Sequence, residues 1–270
     1  MSEEFCSLEE LTLHDPLGLR KSRRALQGIT MIIDKGLGLG QFQDLLDTAG
    51  NYIDYIKLGF GTTALYPPRV LQAKLRMAKQ YNVDVYPGGT FFEVAYHQGK
   101  TREYILSMKK LGFTKLEISD GTVDLPIVAR RDAILQARQA DFDVITECGK
   151  KIAGSQIDAE ELITTLLSDL QAGARFVIIE GRESGENVGI YDQNGCIQDN
   201  FSSILKEIRP YLEHIIWEAP KKNQQVELIN SFGPNVHLGN IPPDEIYAVE
   251  SLRRGLRSDT FFWGMGREEQ

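Results

Sequence analysis

The 270-residue chain has only three cysteines, Cys6, Cys148 and Cys196, and no Cys-x-x-Cys pair. That scarcity argues against a disulfide framework and a structural zinc site, and it fits a reducing cytoplasm. No apolar run approaches the roughly 18 residues that a membrane span needs. The first residues, "MSEEFCSLEELTLHD", are acidic and carry no apolar h-region, so a secretory signal is not expected. Histidines number four (His14, His97, His214, His237) and show no His-x-x-x-His spacing. The contexts of the last three suit structural roles. No Gly-x-Ser-x-Gly elbow exists, which removes the sequence basis for serine hydrolysis. "GLGLG" (36–40) lacks the Gly-x-Gly-x-x-Gly spacing and reads as a flexible loop whose N–H groups can face an anion. Positive charge is in deficit: the net charge of −8 disfavours a nucleic-acid partner. It leaves small anionic substrates open, because local cations can focus a field against the global sign.

What is present is globular. The chain is 42% hydrophobic and 25% charged, enough for a sizeable core. Eight β-like runs end at Gly, Pro, Asp or Asn: "GITMIID", "YIDYIKLGF", "VDVYPGG", "KLEISDG", "FDVITECG", "FVIIEGR", "IIWEAP" and "NVHLGN". Helical spacing fills most intervals. "PPRVLQAKLRMAKQYN" opens on two prolines, "TREYILSMKKLG" stops at Gly112, and "DAEELITTLLSDLQAG" runs from an Asp158 cap to Gly173. "PDEIYAVESLRRGL" follows the last strand. Eight strand–helix units at intervals of roughly 20–40 residues predict an α/β fold, a single (β/α)8 TIM barrel. The expected division is an N-terminal extension over 1–27, a barrel over 28–262 and a tail over 263–270.

In such a barrel the carboxyl ends of the strands form the functional face. Read in order, those ends carry Asp34 and Lys35, then Lys57, then Gly88, Gly89 and Thr90. Glu117, Ser119 and Asp120 follow, then Glu147, Lys150 and Lys151. The last three ends hold Glu180 and Arg182, then Glu218, Lys221 and Lys222, then Asn240. Any one such charge reads most simply as a solvated loop residue; the recurrence is harder to explain that way. Period-two geometry puts Glu147 and Lys151 on one side, and Glu180 with Arg182 on one side, with Lys150 and Glu183 facing away. Glu147, Glu180 and Glu218 then form an arc of oxygens of the kind Mg²⁺ prefers. A Glu180–Arg182 pair can equally be structural. Cys148 points away from Glu147 and reads as packed. Arg253, Arg254 and Arg257 are either a solvated face or phosphate ligands beside the eighth strand. "ENVGIYDQNG", after Gly185, is long enough to fold over a substrate.

Several long blocks, in order, resemble the phosphosulfolactate synthase family. They are "IKLGFGT", "YPGGTFFE", "TECGKK", "VIIEGRESG", "IIWEAPKKNQQVELINSFGPNVHLGNIP" and "ESLRRGLRSDTFF". The resemblance runs from Gly28 to Phe262. It implies a cytoplasmic lyase that adds sulfite to phosphoenolpyruvate, giving (2R)-2-phospho-3-sulfolactate through a Mg²⁺-stabilised enolate, in sulfolactate or coenzyme M biosynthesis. It also implies a homo-oligomer. The expected catalytic residues are Lys151 as proton donor, Lys150 beside it, and Glu147. Glu147, Glu180 and Glu218 are the expected metal ligands. Lys35, Lys57, Arg182, Asn240 and Arg254 are expected to bind the anions, with help from the helix N-terminus after Asn240. Three alternatives stand beside this: another enolate-forming enzyme with a different nucleophile, a non-catalytic barrel like the heat-stress-associated proteins of plants, and a paralogue that binds the substrate without turning it over. The retained strand-end charges speak against the second.

Overall fold

The structure is a computed structural model that describes residues 14–21, 27–149, 159–181, 184, 186, 190–198 and 207–261. Eight parallel strands lie in one sheet: β1 (Thr30–Asp34), β2 (Tyr55–Leu58), β3 (Asp84–Pro87), β4 (Lys115–Ser119), β5 (Asp143–Cys148), β6 (Ala174–Ile179), β7 (Ile215–Glu218) and β8 (His237–Ile241). Each predicted run overlaps one strand; six contain theirs whole, while β6 begins two residues before its run and β8 ends one residue beyond its run. The helices are α1 (Leu39–Ala49), α2 (Pro68–Gln80), α3 (Gly89–His97), α4 (Thr101–Leu111), α5 (Ile127–Gln139), α6 (Ala159–Ala172), α7 (Lys222–Phe232) and α8 (Ile246–Arg254). Pro68 opens α2, and Gly112 ends α4 in the left-handed region. The predicted Asp158 cap of α6 lies outside the described residues. No helix among the described residues is long and apolar enough to cross a membrane.

Strand order β3-β2-β1-β8-β7-β6-β5-β4 is that of a (β/α)8 barrel. Its two ends meet at β3 and β4, which side chains and one backbone group stitch together. Thr114 donates to Asp84 at 3.2 Å, Lys115 pairs with Asp84 at 3.4 Å, and Gly89 N–H donates to Glu117 at 2.6 Å.

Period-two alternation sorts the strand residues into two layers. Ile56, Val144, Val177 and Trp217 pack outward under the helices. Tyr55, Ile145, Phe176 and Ile216 point inward and fill the barrel's lower part. Two residues further along β2, β5 and β7 the inward positions are Lys57, Glu147 and Glu218, all buried. The interior therefore changes from apolar to ionic over one step of the pleat.

Residues 14–21 of the N-terminal extension lie against the opposite face. Helices run against the strands, so the end of α8 lies at the strands' amino ends. There Arg20 pairs with Glu250 at 3.1 Å and Arg254 with Asp15 at 3.0 Å. Leu17 N–H donates to the Arg254 carbonyl at 3.4 Å.

A buried carboxylate–lysine site

The Lys57 ammonium is the hub of the carboxyl-end face. It lies 2.8 Å from Glu147 Oε2 and 3.1 Å from both Glu117 Oε1 and Glu218 Oε1. Burial works against its charge, but those three carboxylates raise its pKa well above the usual lysine value. Lys57 therefore stays an ammonium ion. It joins protein carboxylates at the face where the sequence reading expects it to meet a substrate anion.

Glu147, Glu180 and Glu218 are all buried, and one oxygen of each lies within 4.8 Å of the others. The arc drawn from strand parity is thus assembled. Three hard oxygen donors converging at this spacing fit a cation such as Mg²⁺. Lys57 holds two of the three, Glu147 and Glu218, and so offsets part of their mutual repulsion.

The local sequence explains how the oxygens are aimed. Glu218 Oε2 accepts from Gly181 N–H at 3.0 Å, and the Glu218 carbonyl accepts from the Tyr191 hydroxyl at 2.8 Å. A Cβ on Gly181 would lie 2.9 Å from the Tyr191 ring and 2.5 Å from the Glu218 carbonyl, so "EGR" needs its glycine. Gly89 is constrained in the same way, since a Cβ there would meet Glu117 Oε1 at 2.7 Å. Ser119 lies between two carboxylates, 2.6 Å from Glu93 Oε1 and 2.9 Å from Glu147 Oε1, and its one proton serves one of them at a time. Glu93 also accepts from Thr122 and Val123 N–H at 2.6 and 3.0 Å, tying the loop after β4 to α3.

The remaining expected residues divide clearly. Lys35 is exposed at the carboxyl end of β1, beside a buried Asp34 that accepts from Lys74, Tyr66, Gly36 and Leu37. Asn240 is buried at the end of β8 with a left-handed φ of 53°. Lys150, Lys151 and Arg182 lie outside the described residues. Arg254 is a correction: it sits at the amino-end face, held by Glu250 at 2.9 Å and Asp15 at 3.0 Å, and so faces away from the site. The turn after Asn240 also differs from expectation. It begins Pro242-Pro243 and continues Asp244-Glu245, so it lacks two N–H donors and carries two negative charges where a phosphate would sit. In the expected lid, Tyr191 is fully buried and bridges to Ile197, so residues 190–198 are an anchored turn. Cys148 is packed as predicted, with burial pushing its thiol up to about 12.

Glu117, Ser119, Glu93 and Arg130 are site neighbours outside the set of residues that the sequence predicts. Glu117 and Ser119 share the inward parity of β4, a signal available in the sequence. Glu93 and Arg130 lie on helices, where strand parity says nothing.

The fold and the converging carboxylates define a barrel enzyme whose ionic site lies at the carboxyl ends of its strands. The family model described as (2R)-phospho-3-sulfolactate synthase (ComA) matches residues 19–259. The chain belongs to that family. It is 42% identical over 243 residues to the phosphosulfolactate synthase of Methanothermobacter thermautotrophicus, covering 89% of this chain and 94% of that one. It is 43% identical over 237 residues to that of Methanocaldococcus jannaschii, covering 87% and 94%. The Bacillus subtilis relative of the same name is 36% identical over 258 residues, covering 94% and 100%. Among solved structures, the YdjI aldolase from Escherichia coli has a TM-score of 0.56 at 12% identity, covering 90% of this chain and 95% of that one. A phosphonopyruvate hydrolase complex with oxalate and Mg²⁺ has a TM-score of 0.54 at 15% identity, covering 90% and 86%. These two likenesses concern the fold alone.

Proposed function

We propose that this protein adds sulfite to phosphoenolpyruvate, giving (2R)-2-phospho-3-sulfolactate, with Mg²⁺ as cofactor. The observation that carries the reading is the convergence of buried Glu147, Glu180 and Glu218 around Lys57 in a chain of this family. The three glutamates are assigned to the metal. When bound, Mg²⁺ supplies positive charge where the substrate carboxylate gathers electron density in the transition state.

The sulfur lone pair of sulfite forms the new C–S bond at C3, and the C2=C3 electron pair moves toward C2 and the carboxylate. A proton delivered to C2 completes the addition, with no group leaving. Lys151 is assigned that proton, on its parity with Glu147 and its place in "TECGKK", with Lys150 as the adjacent alternative. Lys35, Arg182 and Asn240 are assigned to the anions. Lys57 keeps Glu117, Glu147 and Glu218 together, which otherwise repel one another at close range. The apolar layer of Tyr55, Ile145, Phe176 and Ile216 closes the barrel beneath and excludes water from that side.

Phosphorus NMR tests the reading. Protein, phosphoenolpyruvate, sulfite and Mg²⁺ should produce a new phosphate monoester resonance that requires sulfite. A spectrum unchanged by sulfite, with and without metal, overturns it, and product formed only with another nucleophile points to the related enzyme. Lys151→Ala should abolish turnover and leave the melting temperature within a few degrees; full activity in that variant removes Lys151 from the mechanism.

A further inference from the structure

Arg130 lies within α5, with nothing in its sequence context to mark it, and its guanidinium is buried. Nε and one terminal nitrogen form a fork on Asp169 of α6, at 2.9 to 3.0 Å and 2.7 Å. A bond between two helices needs no more than this fork. The group nevertheless makes two further contacts, both directed at strand ends. One terminal nitrogen lies 3.2 Å from Asp120, just after β4. The other donates to the backbone carbonyl of Glu147 at 2.9 Å.

Glu147 is thus held at both carboxylate oxygens and at its carbonyl. Lys57 and Ser119 take its two carboxylate oxygens, and Arg130 takes its carbonyl. A carbonyl contact fixes the orientation of the peptide that follows, and with it the direction in which Cα projects the side chain. Asp169 fixes the fork in turn, so a planar guanidinium is held on one side and directs the peptide on the other. We propose that Arg130 is a positioning residue for Glu147. It sets the aim of that carboxylate through the backbone without touching substrate. This rests on the reading of Glu147 as a metal ligand.

The test separates aim from stability. In Arg130→Met/Asp169→Leu, apolar groups of similar volume replace a buried ion pair, a change that often leaves stability nearly intact. Arg130→Lys keeps the charge but is about one bond shorter and has a single nitrogen, so it cannot hold Asp169 through a two-nitrogen fork while reaching the Glu147 carbonyl. Mn²⁺ binding, followed by the electron spin resonance of the free ion, reads the site without turnover. Both variants should bind Mn²⁺ about 10–100-fold more weakly than wild type. Sulfite-dependent kcat should fall by a similar factor, with KM for phosphoenolpyruvate little changed. A purely structural role predicts a lower melting temperature with wild-type Mn²⁺ affinity and kcat below that temperature, and this result overturns the proposal. Should the double variant fail to fold, Arg130→Lys decides, measured below its own melting transition. Wild-type protein that neither binds Mn²⁺ nor forms product overturns the functional reading and this inference with it. Wild-type protein that does both, beside insensitive variants, overturns the inference alone.

Discussion

At the scale of single residues, two buried cation-forming groups behave in opposite ways. Lys57 is surrounded by carboxylates and keeps its proton; His237 is surrounded by cations and backbone and loses it. Lys57→Met leaves Glu117, Glu147 and Glu218 facing one another without a counter-ion. Removing one partner of a buried ion cluster costs about 3–5 kcal/mol, so the variant should melt much lower and show little turnover. Lys57→Arg should not restore activity, because a planar fork cannot replace a point charge shared by three carboxylates at 2.8 to 3.1 Å. His237 Nδ1 accepts from Ile29 N–H at 3.0 Å, so its ring proton is on Nε2, facing the Glu213 carbonyl at 3.2 Å. Burial, then the nearby Arg253 charge, pushes its pKa from 6.5 down to about 4. The unfolded chain therefore takes up this proton first as pH falls. The stability from a neutral His237 is fully present above about pH 6.5 and is lost progressively toward pH 4, a change of about 3 kcal/mol. His237→Gln can make both hydrogen bonds without titrating. Urea midpoints at pH 7.5, 6 and 4.5 should fall less steeply in that variant than in wild type; parallel curves would remove His237 as the source.

At the scale of elements, glycines show where one segment comes close to another. Gly89 opens α3 directly against Glu117 and Ser119, and its N–H is bonded to Glu117. Gly89→Ala should displace Glu117 from Lys57, lower the melting temperature and cut turnover at least about tenfold. Gly40, within α1, has open space around its would-be Cβ. Gly40→Ala should be neutral or stabilising by up to about 1 kcal/mol, the helix-propensity difference, with unchanged kcat. Paired thermal melts and rates check the contrast. The strand-end carboxylates were legible at this scale because parity on β5, β6 and β7 selects Glu147, Glu180 and Glu218. Glu93 was not, because its partners Ser119, Thr122 and Val123 meet it only when α3 packs beside the end of β4.

At the scale of the whole molecule, the two faces of the barrel do different work. One collects the carboxylates around Lys57, and the other binds residues 14–21 through Arg20–Glu250 and Asp15–Arg254. Arg20→Met should weaken only the second face. A loss of about 1–2 kcal/mol lowers the melting temperature of a chain this size by about 2–4 °C per kcal/mol. The rate of the proposed sulfite addition should not change, and a marked fall would mean that the two faces are coupled. Arg254 illustrates why such assignments need the fold. "LRRGLR" after the last strand reads equally as phosphate ligands or as surface. The direction of α8 settles the matter, since a helix returning against its strand delivers its last residues to the opposite end of the barrel.

The sequence by itself determined the eight strand–helix units, the direction in which strand side chains alternate, and the family to which the blocks belong. Those properties are local: period, turn residues and short motifs are complete within a few residues. Tertiary structure decided what each charged side chain faces. Lys57 and Glu218 are 161 residues apart in the chain, yet their charged atoms lie 3.1 Å apart across the closed barrel. Whether a lysine clamps a substrate or joins carboxylates depends on the groups across from it. Barrel closure brings those groups together from distant strands, and a local pattern does not encode that meeting.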